Sequence, residues 1–248
     1  MGCRRRIGLL VPSSNTTMEP ELHRMAPDGI SIHTARMRLV EVTPEGLVEM
    51  AEDASRAARL LATAEVDVIV YGCTTGSLVG GVEWEERLVR GIENETGITT
   101  VSTSRAVIDA LRALDARRVA VATPYTDDLN RLERAFLESN GIEVTTIRGL
   151  GLVRNLDIGR TNGVVIKNLV KAMTGEADAV FISCTNLPTI DLIEPLEAEL
   201  RRPIVTSNQA SLWAALRGCG LKGIKGYGAL LRSRLRGASG RAPSSSSA

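Results

Sequence analysis

The stretch Val66–Ser77 reads VDVIVYGCTTGS, and Ala177–Pro188 repeats its plan as ADAVFISCTNLP. In each, an aspartate precedes four apolar residues, and a small residue, a cysteine and a threonine follow. Four apolar residues between polar stops are too few for a helix. They suit a strand buried on both faces, the kind that parallel sheets use. The two cysteines, Cys73 and Cys184, stand 111 positions apart.

Further landmarks repeat outward from that pair. Pro12 matches Pro124 and Gly29 matches Gly141, both at an offset of 112. Thr99–Ala106 (TTVSTSRA) matches Pro203–Ala210 (PIVTSNQA) at an offset of 104. Landmarks kept in order at nearly one offset mark an internal duplication.

In the first copy the pattern predicts a strand over Arg6–Val11, a helix capped by Thr16 or Thr17 and running to about Met25, and a strand over Ile30–Val40. Thr43 at the N-cap and Pro44 at the first helical position open a helix to about Ala62. The strand to Cys73 follows, then a helix over Glu83–Thr96 stopped by Gly97, a strand over Ile98–Val101 and a helix over Ser104–Ala113. The second copy gives a strand over Arg118–Thr123, a helix over Thr126–Asn140 stopped by Gly141, and a strand over Ile142–Leu150. A polar loop holding Asn155 leads to a helix near Thr161–Met173 and the strand to Cys184. A helix near Leu192–Leu200, a strand over Pro203–Val205 and a helix over Asn208–Arg217 complete the copy. Tyr227–Leu235 reads as a last helix and Ser239–Ala248 as a disordered, serine-rich tail.

Eight βα units in two sets of four fit an α/β fold of two doubly wound lobes related by a pseudo-twofold axis. Each lobe is then a four-stranded parallel sheet flanked by helices, and a (βα)8 barrel is the alternative. The expected boundaries are 1–114 plus 206–238 for the first lobe, 115–205 for the second and 239–248 for the tail. In either architecture ligands gather at the carboxyl ends of the strands, where both cysteines stand.

Composition narrows the partners. A chain of 248 residues that is 44% hydrophobic can bury a sizeable core. A net charge of +1 gives no general attraction to nucleic acid or to a membrane surface. No apolar run approaches the ~20 residues of a membrane span. Met1-Gly2-Cys3 does not open a myristoylation motif, because Arg6 stands where Ser or Thr is required. A cytoplasmic protein with a small-molecule partner is the expectation. The four cysteines, Cys3, Cys73, Cys184 and Cys219, follow no zinc spacing, and the chain has only two histidines, His23 and His33, so no metal is expected. No GxGxxG follows a strand and no GxxxxGK[ST] occurs, so no nucleotide or flavin cofactor is expected.

The ordinary reading of Cys73 and Cys184 is a pair of core cysteines, since free cysteine is among the most buried residue types. Three features favour chemistry: both end a strand at the ligand-binding edge, both are followed by polar residues, and the duplication makes them equivalent. A pseudo-twofold axis would bring them face to face across one site. With so few histidines, activation of the thiols falls to backbone N–H groups and following helix ends. Thr74, Thr75, Ser77, Thr185 and Asn186 offer neutral donors to a carboxylate. Asn15, Tyr125 and Asn155 stand at equivalent edges and add more, with turn and capping chemistry as their ordinary roles.

Taken together, VPSSNTTME, the Arg36–Leu47 stretch RMRLVEVTPEGL, YGCTTGS, VATPY, NLDIG and SCTNLPT resemble the aspartate/glutamate racemase superfamily. Within it the likeness is greatest to maleate cis-trans isomerases, with arylmalonate decarboxylases as near relatives, and it covers nearly the whole chain except the tail. The resemblance implies the two-lobed fold rather than the barrel, a cofactor-free reaction, a site between the lobes and a homodimer. It assigns Cys73 as nucleophile, Cys184 as proton donor and acceptor, and Asn15, Tyr125 and Asn155 as holders of a substrate carboxylate. The decarboxylases keep only the second cysteine, so the pair argues for isomerisation. The polar turn Thr74-Thr75-Gly76-Ser77 is nearer to the decarboxylases' carboxylate-binding loop. The activity implied is conversion of the dicarboxylate maleate to fumarate through a succinyl–cysteine adduct. The alternatives are a two-cysteine racemase, an arylmalonate-type decarboxylase and a non-catalytic dicarboxylate binder.

Overall fold

The computed structural model describes residues 4–173, 175–217 and 223–232. Cys3, Cys219, the serine-rich tail and the end of the helix expected at Tyr227–Leu235 lie outside those residues.

The first half runs β1 (Arg5–Pro12), α1 (Met18–Met25), β2 (Ile30–Met37), α2 (Pro44–Glu52), α3 (Ala54–Ala62), β3 (Val68–Tyr71), α4 (Thr74–Leu78), α5 (Gly81–Thr96), β4 (Thr100–Ser102) and α6 (Thr103–Ala113). The second runs β5 (Arg118–Thr123), α7 (Asp127–Ser139), β6 (Glu143–Gly149), α8 (Asn155–Gly159), α9 (Gly163–Lys171), β7 (Ala179–Ile182), a 3-10 turn at Ile190–Leu192, α10 (Ile193–Leu200), β8 (Ile204–Thr206), α11 (Ser207–Ala215) and α12 (Gly228–Arg232).

The strands form two separate four-stranded sheets, ordered β2-β1-β3-β4 and β6-β5-β7-β8, so the chain is not a closed barrel. All pairs are parallel, and the two sheets share one order. Register repeats the duplication: Ile7 pairs with Val68 and Val119 with Ala179. All four residues of β3 and of β7 are buried, as central strands covered on both faces require.

Local chemistry sets most helix ends. Thr43 Oγ1 accepts from the Gly46 N–H with Pro44 at the first position of α2. Gly97 stops α5 in the left-handed region at φ 69°, which costs glycine nothing. The single helix expected over 44–62 is two, parted at Asp53, whose carboxylate takes the Arg38 N–H and the Arg56 guanidinium. The polar turn expected after Cys73 is the short helix α4, and Asn155 begins α8 rather than lying in a loop.

Each apolar cluster runs through both halves. One joins Val68 and Val70 to Val121, Phe181 and Val205 beneath α6 and α11. The other joins Met50, Ile69, Tyr71 and Cys73 to Ala122, Tyr125, Ile182 and Cys184. The helices that follow the fourth strand of each half, α6 and α11, pack together, with Thr103 Oγ1 and Ser211 Oγ 3.0 Å apart. Among the described residues no helix is long and apolar enough to cross a membrane, and no cluster of three His, Cys, Asp or Glu side chains is arranged to hold a metal.

Candidate active site

Cys73 and Cys184 both follow a central strand at its carboxyl end, are only 5% and 6% exposed, and belong to the same apolar cluster. Cys73 is the N-cap of α4, and its Sγ accepts the Gly76 N–H at 3.4 Å. The Thr75 hydroxyl is a second donor to that sulfur. Cys184 stands in the left-handed region at φ 96°, a conformation non-glycine residues seldom adopt. Its Sγ accepts the Asn186 N–H at 3.4 Å, and the Tyr125 hydroxyl donates to it.

The other expected residues are buried around this pair. Asn15 Oδ1 takes the N–H groups of Thr17 and Met18, each at 2.9 Å, and so caps α1 in place of Thr16 or Thr17. Its amide Nδ2 donates across the halves to Thr185 Oγ1 at 3.0 Å, and Thr185 in turn donates to the Gly72 carbonyl at 3.1 Å. Thr74 Oγ1 donates to Ser207 Oγ at 2.8 Å. Asn155 Nδ2 donates to Ser14 Oγ at 2.8 Å. Asn186 is as heavily committed as Asn15: its Oδ1 takes the Thr16 N–H, and its Nδ2 donates to the carbonyl and side-chain oxygens of Asn155. These bonds tie the segments after β1, β6 and β7 into one wall, with the donors already aligned. Over that wall the segments after β2 and β6 meet: the Val42 N–H donates to the Val153 carbonyl at 2.8 Å and the Asn155 N–H to the Val40 carbonyl at 3.1 Å.

Electrostatics set the resting state of the thiols. Burial pushes Cys73 up to about 12, with the Gly76 N–H and Thr75 hydroxyl working against it and charge on Cys184 adding to it. Burial likewise pushes Cys184 up to about 11, opposed by Tyr125 and by the N–H groups of Asn186 and Leu187. The backbone donors expected to activate the thiols are therefore present, but desolvation outweighs them. Both cysteines rest protonated, and the donors act once charge forms. Burial and the neighbouring thiols also hold Tyr125 well above the usual phenol range, so it stays a donor.

Two residues outside the expected set matter. Ser207, at the start of α11, links the cysteine loops: its Oγ accepts from the Cys184 N–H at 3.1 Å and from Thr74. It follows the fourth strand as Cys184 follows the third, so the edge rule that found the cysteines applies to it as well. Glu133, fully buried on α7, accepts a short 2.5 Å bond from Ser183 Oγ, and burial raises its carboxyl to about 7. It lies on the stripe of α7 between Leu129 and Leu137, where a carboxylate in the sequence is out of place. Its counterpart 112 positions earlier, Glu21, is also buried, but holds the N–H groups of Thr189 and Ile190 and the amide of Asn208. A cavity of about 920 Å³ beside β4 touches neither cysteine, whereas one of about 400 Å³ lined by Thr16, Thr17, Gly159 and Pro188 abuts the Asn186 wall.

The geometry has close counterparts among known proteins. The model of a family described as arylmalonate decarboxylase matches residues 7–231. A maleate isomerase of Nocardia farcinica is 35% identical over 240 residues, covering 92% of this chain and 96% of that one. An arylmalonate decarboxylase of Bordetella bronchiseptica is 33% identical over 229 residues, covering 90% and 95%. A solved structure of the Nocardia farcinica maleate cis-trans isomerase, a cysteine-to-serine mutant with a covalently bound succinylcysteine intermediate, superposes with a TM-score of 0.88 at 33% identity over 92% of this chain and 98% of that one.

Proposed function

The chain belongs to the arylmalonate decarboxylase family, and from that premise we propose that it is a cofactor-independent isomerase converting maleate to fumarate through a covalent succinyl–cysteine intermediate. The observation that carries this reading is the pair of buried thiols, one from each half of the fold, each with hydrogen-bond donors already aimed at its sulfur.

The thiol pair first releases one proton, and the form that reacts carries the thiolate on Cys73 and the thiol on Cys184. The Cys73 sulfur bonds to one alkene carbon of maleate, and the alkene π pair takes the Cys184 proton at the neighbouring carbon. The former double bond is now single and turns. The Cys184 thiolate removes the proton it gave, the alkene re-forms as trans, and the Cys73–carbon bond breaks with its electron pair returning to sulfur. No proton or electron is gained or lost over the cycle. Asn15, Tyr125 and Asn155 hold one carboxylate in this reading, and Thr74, Thr75, Thr185 and Asn186 line its surroundings with uncharged donors. Such donors steady the charge that spreads onto the carboxylate when sulfur adds, without fixing it in a salt bridge. We infer that the enzyme works as a homodimer on a small dicarboxylate.

The test is proton NMR of the purified protein with maleate in D₂O, together with intact-mass measurement of Cys184→Ala. The parent should form fumarate, Cys73→Ala should form none, and Cys184→Ala should gain the mass of one maleic acid on Cys73. Full turnover by Cys73→Ala would sink the mechanism. A second reading, two-base racemisation of a small carboxylic acid, is favoured by the Thr75 hydroxyl on the Cys73 sulfur and the polar helix start around it. In that case deuterium enters the α-carbon of a chiral acid in the same tube while maleate is left unchanged.

A further inference from the structure

Tyr71 ends β3 two residues before Cys73 and is completely buried. Its hydroxyl has no hydrogen-bond partner among the described residues. Buried polar groups are nearly always paired, and phenylalanine would pack here without that cost. The surroundings point to what the oxygen is for. A Cβ placed on Gly76 would lie 3.2 Å from Tyr71 Oη, 3.1 Å from Cys73 Sγ and 2.7 Å from Met50 Cε. Phenol and thiol thus border the same small space, which the missing Cβ of Gly76 leaves open between them. The Cys73 sulfur has the Gly76 N–H and the Thr75 hydroxyl as donors, and a thiolate there can accept another. Burial holds the Tyr71 phenol well above its usual range, and negative charge on Cys73 holds its proton more firmly, so thiolate at Cys73 favours the phenol as a donor.

We propose that the Tyr71 hydroxyl is a reserve hydrogen-bond donor for the Cys73 sulfur, unpartnered in the resting protein and engaged when that sulfur carries negative charge. Tyr71 then sets the reactivity of Cys73 as the Tyr125 hydroxyl does for Cys184, and each thiol faces its own phenol. The groups that bear on Cys73 charge are Tyr71, Thr75, the Gly76 N–H, Cys184 and Tyr125. The consequence for turnover rests on Cys73 being the nucleophile, whereas the reactivity of the thiol is read without substrate.

Tyr71→Phe removes the oxygen and nothing else. Alkylation of Cys73 by iodoacetamide, followed by mass spectrometry of its peptide, is compared between parent and variant from about pH 7 to 11, together with thermal melting. Cys73 alkylation should slow about fivefold at pH 8 and its profile should move to higher pH, while Cys184 stays within about twofold. The melting temperature should hold or rise, because an unpaired buried group has gone. If maleate is the substrate, kcat should fall with KM nearly unchanged. A Cys73 profile that overlays the parent overturns the proposal. That comparison stands even if the parent fails to turn over maleate, so the two readings fail separately. A second measurement uses the parent labelled with 3-fluorotyrosine, which places fluorine on three tyrosines. The Tyr71 resonance, assigned by elimination with Tyr125→Phe and Tyr227→Phe, should move as Cys73 titrates and not in Cys73→Ala. A resonance indifferent to that titration counts equally against the idea.

Discussion

Two thiols in one apolar cluster begin with nearly the same chemistry, and their neighbours divide the work between them. Because burial raises Cys73 to about 12 and Cys184 to about 11, the reactive thiolate is scarce at neutral pH. If maleate is the substrate as proposed, its turnover should climb roughly tenfold per pH unit from neutrality to pH 9 without an alkaline fall, as steady-state kinetics across that range would show. Asn15 allows its two jobs to be separated. Asn15→Asp keeps the oxygen that caps α1 but loses the amide donated to Thr185. Its melting temperature should stay within a few degrees of the parent while dicarboxylate turnover drops by about 100-fold. Glu133 supplies a stability test with a definite sign. Its folded carboxyl, raised from 4.5 to about 7, binds a proton that the unfolded chain has already released. That contribution is complete below about pH 4.5 and is lost as pH rises through 7. Glu133→Gln keeps an acceptor for Ser183 without the titration. Denaturant unfolding should therefore show the variant gaining about 3 kcal/mol on the parent between pH 4.5 and 8.

At the scale of elements, α11 is the piece that joins chemistry to architecture. Thr206 and Gln209 form a capping box at its start, and the next residue, Ser207, accepts the Cys184 N–H. Ser207→Ala leaves that N–H buried and unpaired, so it should cost about 1–3 kcal/mol in chemical denaturation and slow turnover as well. Thr206→Ala should cost about 1 kcal/mol through the lost cap. The legibility of the sequence follows the same division. The runs at β3 and β7 are apolar throughout because they are covered on both faces, so both strands and their terminal cysteines could be read directly. Helix α4 could not, since five residues are too few to display a period, and hydroxyl residues after a strand look the same in a turn or a capped helix start. Asn155, Asn186 and Ser207 present a different difficulty. Their types announce hydrogen bonding, but which partner takes each donor depends on loops more than 20 residues distant meeting in space. The thiol pKa values were illegible for a related reason: nearby donors are local, whereas desolvation sums over the whole surroundings.

Across the whole molecule, the duplication was readable from offsets alone, and the identical order of the two sheets bears it out. The offsets leave open how the halves share their interior. Both apolar clusters draw on both halves, and α6 packs on α11. Heating should therefore produce one cooperative transition, with far-ultraviolet circular dichroism and tryptophan fluorescence melting together. Separate transitions for the two sheets would contradict the shared core. This sharing has a practical consequence. Cys73 and Cys184 come from opposite sides of the turn at Asp115. A gene cut there would yield two fragments, each with an open core and one thiol of the pair, and each inert by itself. Fused to two proteins that bind one another, the fragments would regain the thiol pair only on meeting, a split reporter of that encounter.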